Sequence, residues 1–237
     1  MKNGSTVDPV IYYSLDDGTT WNNQTFSSGT ITFGTINEGE KIIFKCTTSN
    51  WANDWNKYNR FNGSKNFKVY GNVMSLLYGD NFTTNSEFSS GSTFNLTGLF
   101  YGTTTIIDAS NLILPATICV KSCYNGMFRG ATNLSHGPKE LPGLYGFQDS
   151  YSSMFEGCIN LEEGPDINLI SVSSTCCCQR MFCMNRNSKI TTPKMTKSPV
   201  IKNLTFESGS SSVFRDFFKG NGNLVEVTCL ITSPTTS

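Results

Sequence analysis

Apolar and polar positions follow two different rhythms along the chain. In "VIYYSLDDGTTW" (10–21), "TITFGTINEGEKIIFKC" (30–46) and "NFKVYGNVMSLL" (66–77), short runs rich in aromatic and β-branched residues are separated by polar breaks. Asp16-Asp17-Gly18 and Glu38-Gly39-Glu40 are hairpin-turn signals within these runs. Several short strands at close spacing predict a β-sandwich-like (Ig-like) domain over residues 1–72.

From about residue 95 the rhythm lengthens. An apolar pair recurs as Leu99-Phe100, Met127-Phe128, Met154-Phe155, Met181-Phe182 and Phe217-Phe218, at steps of 28, 27, 27 and 36 residues. After most pairs come x-Gly and then x-Asn-Leu, as in Gly130 with Asn133-Leu134, Gly157 with Asn160-Leu161 and Gly220 with Asn223-Leu224. Pro138, Pro165 and Pro193 follow in three copies. A period near 27 marks stacked repeats, each too small to bury its own apolar stripe. Tyr124, Met127 and Phe128 are spaced i, i+3, i+4, which predicts a short helix in each unit, then a turn at Gly130 and a strand from Leu134. The paired residues are the expected repeat core. The fold class expected is α+β: the β-sandwich-like domain, a transition or capping segment over 73–98, and a solenoid of helix-turn-strand units over 99–237 with an insertion near 198–213.

Composition narrows the role. Lys plus Arg equal Asp plus Glu at 18 each, so the formal net charge is zero, whereas a nucleic-acid partner calls for a positive surplus. Charged residues are only 15%, and Asn, Ser, Thr and Gly take their place. Such a neutral, hydrogen-bonding surface suits β structure and particle or extracellular surfaces. No apolar run reaches 18 residues, so no membrane insertion is expected. "MKNGSTVDPV" lacks the apolar stretch of a secretory signal, which, with Met1 as the native start, implies a chain without an export address. Nine cysteines, three of them consecutive (Cys176, Cys177, Cys178), make a poor disulfide framework; they are expected reduced and buried, as small apolar residues.

The repeat unit "MFEGCINLEEGP" resembles the core of the BspA-like leucine-rich repeats of Bacteroidetes surface proteins. "YYSLDDGTTW", "GNVMSLLYGD", "NLILPATICVKSCYNGMFRGATNL" and "MFEGCINL", in that order, are similar to a group of proteins from gut Bacteroidales and their phages. The resemblance covers nearly the whole chain. It implies a β N-terminal domain, a leucine-rich-repeat-like solenoid, and a binding or structural role without enzymatic activity. The insertion at 198–213 departs from that pattern, and after "VTCLITSPTTS", where relatives continue, a terminal cap is expected to be missing.

Chemistry-bearing candidates are few. His136 is the one histidine, beside Gly137-Pro138, with Glu163 and Thr192 or its neighbours at the corresponding repeat positions, so it reads as a solvated loop residue. Cys176, Cys177, Cys178 and Cys183 lack the two-pair spacing of a zinc site, and the repeat register places Cys177 with Cys123, and Cys178 with Tyr151 and Tyr124, in the core. Asp16-Asp17 reads as a turn, and Glu162-Glu163 as strand neighbours on opposite faces. No catalytic residue, metal or cofactor is expected. The one ligand candidate is "NWANDWNKYNRFNG": Trp51, Trp55 and Tyr58 at i, i+4, i+7 would form an aromatic stripe on a helix, flanked by amides suited to a glycan. The competing reading packs that stripe into the core.

Two roles follow. The first is a structural or adhesive component of a phage particle (a fibre, decoration or tail-associated protein), located in the virion, with other virion proteins as partners in an oligomer or larger assembly. The alternative is an exported bacterial cell-surface adhesin that binds glycan or host matrix protein. In either, Ser135, Lys139, Glu162 and Asp166 are expected on the exposed strand side.

Overall fold

The computed structural model describes residues 9–26, 30–48, 51–54, 57–172, 175–184, 193–202, 204–206, 211–224 and 229–230. Strand β1 (Val10–Ser14) pairs antiparallel with β2 (Asn22–Thr25) on one side and β3 (Ile43–Lys45) on the other. The β1–β2 turn is closed by Asp16, whose carboxylate accepts from the Thr20 N–H at 2.9 Å and its hydroxyl at 2.7 Å. Asp17 and Gly18 take φ of 60° and 85°, which the Asp-Gly step tolerates. β4 (Ala52–Asp54) and β5 (Lys57–Tyr58) pair only with each other. β6 (Phe67–Asn72) leaves the N-terminal region and pairs in parallel with β7 (Ile106–Ile113). Between them lie α1 (Ser75–Tyr78) and a 3-10 turn, Gly79–Thr83.

The repeats stack as coils of consecutive turns. In residues 122–130 every second N–H leaves the coil for the next one: Tyr124 donates to the Ser150 carbonyl at 3.0 Å, Gly126 to Ser152 at 2.9 Å, Phe128 to Met154 at 2.9 Å and Gly130 to Glu156 at 2.8 Å. The intervening N–H groups, of Asn125, Met127, Arg129 and Ala131, bond three residues back within the coil. The same alternation links coil 94–102 to 122–130, 149–157 to 176–184, and 176–184 to 212–220. Every fourth residue is left-handed: Ser122, Gly126 and Gly130 in one coil, Asp149, Ser153 and Gly157 in the next. Each supplies the positive φ at the third position of every other turn, as type II turns require.

The expected α+β class is thereby corrected. Among the described residues the only α-helix is the four-residue α1, and the segment holding Tyr124, Met127 and Phe128 is not helical. No helix-turn-strand solenoid forms among the described residues. A helix cannot pass a left-handed residue every fourth position, nor send half its N–H groups to a neighbour. The apolar i, i+3, i+4 spacing was ambiguous because a coil of four-residue turns produces it too. Nor do the described N-terminal strands make a sandwich: β2-β1-β3 is a lone three-stranded sheet, and β6 belongs to a different sheet.

Short parallel strands hold the far side of the stack. β8 (Glu140–Leu141), β10 (Asp166–Ile167), β12 (Ile201–Lys202) and β14 (Cys229–Leu230) form one ladder, and β9 (Tyr145–Gly146), β11 (Ser171–Val172) and β13 (Thr205–Phe206) another. The recurring Asn of x-Asn-Leu ties units together: Asn160 Nδ2 donates to the Thr132 carbonyl and Asn223 Nδ2 to that of Pro193. Gly137 must be glycine because a Cβ there would lie 2.9 Å from the Phe155 ring.

Inside, one residue type repeats at one place. Phe100, Phe128, Phe155 and Phe182 stack with centroids 5.4, 5.4 and 5.3 Å apart and planes within 11°. Leu99, Met127, Met154 and Met181 are wholly buried beside them; Phe217 is buried and Phe218 half-buried. Beyond Phe100 the column continues through Phe61, Phe44, Phe33 and Tyr13. One hydrophobic core therefore runs from Ile11 to Phe217, across residue 72 without a break.

Candidate functional site

The residue before each repeat glycine lies on one flank of the coils, Tyr101 and Arg129 half-buried and Glu156 buried. Tyr101, Arg129 and Glu156 precede Gly102, Gly130 and Gly157, and together they line a shallow groove of about 320 Å3. The glycines have φ of 65°, 74° and 79°, and a Cβ on Gly130 would make only ordinary contacts with the Gly102 backbone, the nearest at 3.6 Å. Backbone conformation, rather than crowding, demands glycine there, and an open floor is the by-product. The Arg129 guanidinium lies 5.5 Å from the Tyr101 ring and 3.5 Å from the Glu156 carboxylate, which is itself buried. Ring, cation and carboxylate thus sit one coil apart along the groove. Such a surface can hold an extended polar chain; it has no enclosed space in which water could be excluded.

A second groove, of about 330 Å3, opens on the N-terminal sheet between Tyr12, Trp21, Lys45 and Asp80. Lys45 Nζ stands 3.8 Å over the Trp21 ring and bonds both Asp80 oxygens at 2.8 Å. Its cation is already satisfied, so this groove offers the edges of two aromatic rings more than a free charge.

Of the aromatic stripe expected at 51–58, Trp51 and Tyr58 go to different neighbours. Trp51 is fully buried, its indole N–H donating to the Leu76 carbonyl at 3.0 Å and its ring stacked 5.6 Å from Phe61. Tyr58 is half-buried against Tyr101, 5.2 Å between centroids, and burial pushes its phenol pKa up. Trp55 lies outside the described residues. Instead of a helix, the segment turns back on itself, Ala52 opposite Tyr58.

His136 does meet a hydroxyl and a carboxylate: Ser135 Oγ lies 2.8 Å from Nδ1, and Glu162 3.8 Å from Nε2. The hydroxyl, however, donates to the Ile107 carbonyl at 2.9 Å, leaving it to accept from the imidazole. His136 and Glu162 are both about half exposed (53% and 54%), on a strand surface without a cleft. The geometry is that of a surface network rather than an activated nucleophile. Its strand neighbours in the next units are Glu163 and then Lys197; Thr192 lies outside the described residues.

The eight cysteines with described side chains are free, and all but Cys176 are buried. Cys119 Sγ donates to Tyr151 Oη at 3.2 Å, and Cys177 and Cys178 sulfurs are 3.9 Å apart. Burial pushes the Cys123 and Cys158 thiols up, and the neighbouring Cys178 thiol, with burial, pushes Cys177 up, so these three stay protonated. Among the described residues no three His, Cys, Asp or Glu side chains converge on a common point for a metal ion, and no helix is long and apolar enough to cross a membrane. Asp16 accepts from Thr20 and Ser14, which lowers its pKa to about 2 and fixes it as a turn residue.

Sequence reasoning missed the flank groove. The variable residue in x-Gly was its signal, since a fixed glycine at a turn makes its neighbour recur at one position on the flank. No protein-family model, curated protein or solved structure matches the chain.

Proposed function

We propose that the protein is a non-enzymatic structural and adhesive component of a phage particle surface, a fibre, decoration or tail-associated protein. The observation that carries this reading is the ladder itself. Each coil is bonded to the next by backbone groups at every second residue, and a continuous core backs the bonds. Such a stack resists local opening, because each unit's hydrogen bonds are completed by its neighbours. The repeat resemblance to proteins of gut Bacteroidales and their phages points the same way.

A second reading, an exported cell-surface adhesin for glycan or host matrix, draws on the groove beside Tyr101, Arg129 and Glu156. Mass spectrometry of density-purified phage particles and of washed cell envelopes from one culture separates the two. Stoichiometric peptides in the particles are expected. Peptides confined to the envelope would overturn the virion reading and favour the adhesin.

A further inference from the structure

The floor and the walls of the flank groove offer different chemistry. The floor is glycine: Gly102, Gly130 and Gly157 bring Cα–H groups to the groove where other residues would place a side chain. Their backbone is already committed. The three N–H groups donate to the carbonyls of Arg129, Glu156 and Cys183, and the Gly130 and Gly157 carbonyls accept from Thr132 and Ile159. A peptide adding itself as a strand needs an open backbone edge, which this floor does not provide. Recognition therefore falls to the walls. Arg129 lies over the Tyr101 ring, and its 3.5 Å contact to Glu156 is longer than a charge-assisted hydrogen bond, so its planar fork of N–H donors keeps capacity for a ligand. Arg60 reaches the same end: its Nη1 donates to the Tyr101 carbonyl at 2.8 Å, and a Cβ on Gly102 would stand 3.2 Å from it. Among the described residues, two guanidiniums thus stand beside one buried carboxylate, with the Tyr101 and Tyr58 rings next to them.

We propose that the flank groove is a binding site for an acidic glycan, a chain of sugar rings of which at least one bears a carboxylate. Arg129 takes the carboxylate through its N–H fork, the geometry that suits a guanidinium to a planar anion, and Arg60 adds positive charge at the Gly102 end. The C–H faces of the rings rest on Tyr101 and on the glycine floor, and Glu156 holds the guanidinium to the coil. A neutral glycan leaves the positive surplus unanswered, and a cationic chain is repelled by it. The groove crosses three coils, so a chain lying along it passes ring, cation and carboxylate in turn. This inference rests on the adhesin reading for the class of ligand only, and a particle protein can use the same groove. The envelope or particle residence of the protein and its binding of acidic sugar are therefore separate results.

An array of neutral, carboxylated and sulfated glycans, probed with the full chain, tests the site. Carboxylated members are expected to bind roughly tenfold or more tightly than their neutral counterparts, the scale of one charge-assisted hydrogen bond. Uronate-bearing and sialate-bearing glycans share this chemistry, and the array tells the two sources apart. Arg129→Gln should lower binding to the neutral level, and Arg129→Lys, which keeps the charge without the fork, should restore only part of it. Gly130→Asn blocks the groove without touching its charge. Asparagine tolerates the left-handed backbone, its Cβ meets only ordinary contacts, and its amide would occupy the floor, so binding should again fall roughly tenfold. This variant keeps the test open if the arginine variants fail to fold. Undiminished binding by a folded Arg129→Gln or Gly130→Asn chain would place the sugar elsewhere and overturn the proposal. So would an array without preference for carboxylated members. Equal binding of sulfated glycans or of a polyglutamate peptide would reduce the groove to general anion attraction, which overturns it too.

Discussion

The two ends of the coil stack are built from the same repeat and finished in opposite ways. Toward the N-terminus, coil 94–102 presents carbonyls, and the chain supplies donors to meet them: Trp51 N–H to Asn95 at 2.7 Å and Phe61 N–H to Leu99 at 2.9 Å. The aromatic column passes from Phe100 to Phe61 and is closed by Phe44, Phe33 and Tyr13 from the three-stranded sheet. Toward the C-terminus the column loses its order. Phe182 meets Phe218 at 23° but Phe217 edge-on at 79°, after the repeat step has lengthened from 27 residues to 36. A parallel stack has a polarity that a single coil lacks, so one end needs donors and the other acceptors. The N-terminal sheet acts as a cap, whatever else it does.

The largest effect that tests this contrast is in the middle of the column. Phe155→Ala should destabilise by about 3–5 kcal/mol, because both faces of the ring are stacked and its coil is bonded on both sides. Phe218→Ala, with one face stacked, should cost about 1–2 kcal/mol. Urea unfolding of both variants compares them directly. Equal losses would mean that the distal coil is as enclosed as the centre, and the contrast between the ends would fail.

At the capped end, Trp51→Ala should cost about 3–5 kcal/mol, since it removes a fully buried ring and strands the Leu76 carbonyl that its indole N–H satisfies. A ligand platform predicts the reverse: unchanged thermal melting with lost glycan binding. Melting midpoints of the purified variant decide between the cap and the platform.

These contrasts show what the sequence could and could not disclose. The 27-residue period, the apolar pair and the Asp16-Asp17-Gly18 turn are local patterns, and each has a structural counterpart. The helix was misread because Tyr124, Met127 and Phe128 bury one stripe in a helix and in a coil of turns alike. The distinguishing mark lies at every fourth position, where Ser122, Gly126 and Gly130, then Asp149, Ser153 and Gly157, are residues that tolerate or favour turns. Cys176 and Arg180 occupy the same positions in the next unit and blur the mark. Trp51 and Tyr58 were read as one helical face, but Ala52 pairs with Tyr58 across a turn, while Trp51 stacks on Phe61 and Tyr58 lies against Tyr101. The flank groove was missed because its lining residues, Tyr101, Arg129 and Glu156, lie about one repeat apart in the chain, and only the x-Gly step hinted at them.

A single glycine separates the two backbones by the sign of its effect. In a helix, Gly126→Ala would stabilise by about 1 kcal/mol, as alanine is the better helix former. In the coil, Gly126 has φ of 56°, and its Cβ would find ordinary contacts, the nearest 3.7 Å away at Arg129. The substitution should therefore destabilise by about 1–2 kcal/mol through backbone strain alone. The corresponding position of the next coil is Ser153, at φ 55°, where Ser153→Gly should be close to neutral. A stabilised Gly126→Ala variant in a denaturant titration would return the helix.

The smallest expected effect separates the capping sheet from the stack by pH. Asp16 owes its low pKa, about 2, to the Thr20 backbone bond first and then to the hydroxyls of Thr20 and Ser14. A carboxylate whose folded pKa lies below its unperturbed 3.8 stabilises the fold above that value, and the contribution fades as pH falls toward 2. Glu40 is lowered likewise by the Asn37 amide groups in the second turn. In the stack, the Ser110 backbone N–H lowers Asp108 likewise, whereas burial pushes Asp149 up. Acid should loosen the β1–β2 turn as Asp16 gains its proton. The Thr20 amide resonance should shift with a midpoint near 2, while the Phe155 amide holds still. Asp16→Asn should abolish that shift, and a Thr20 titration that survives the substitution would assign the effect to another group.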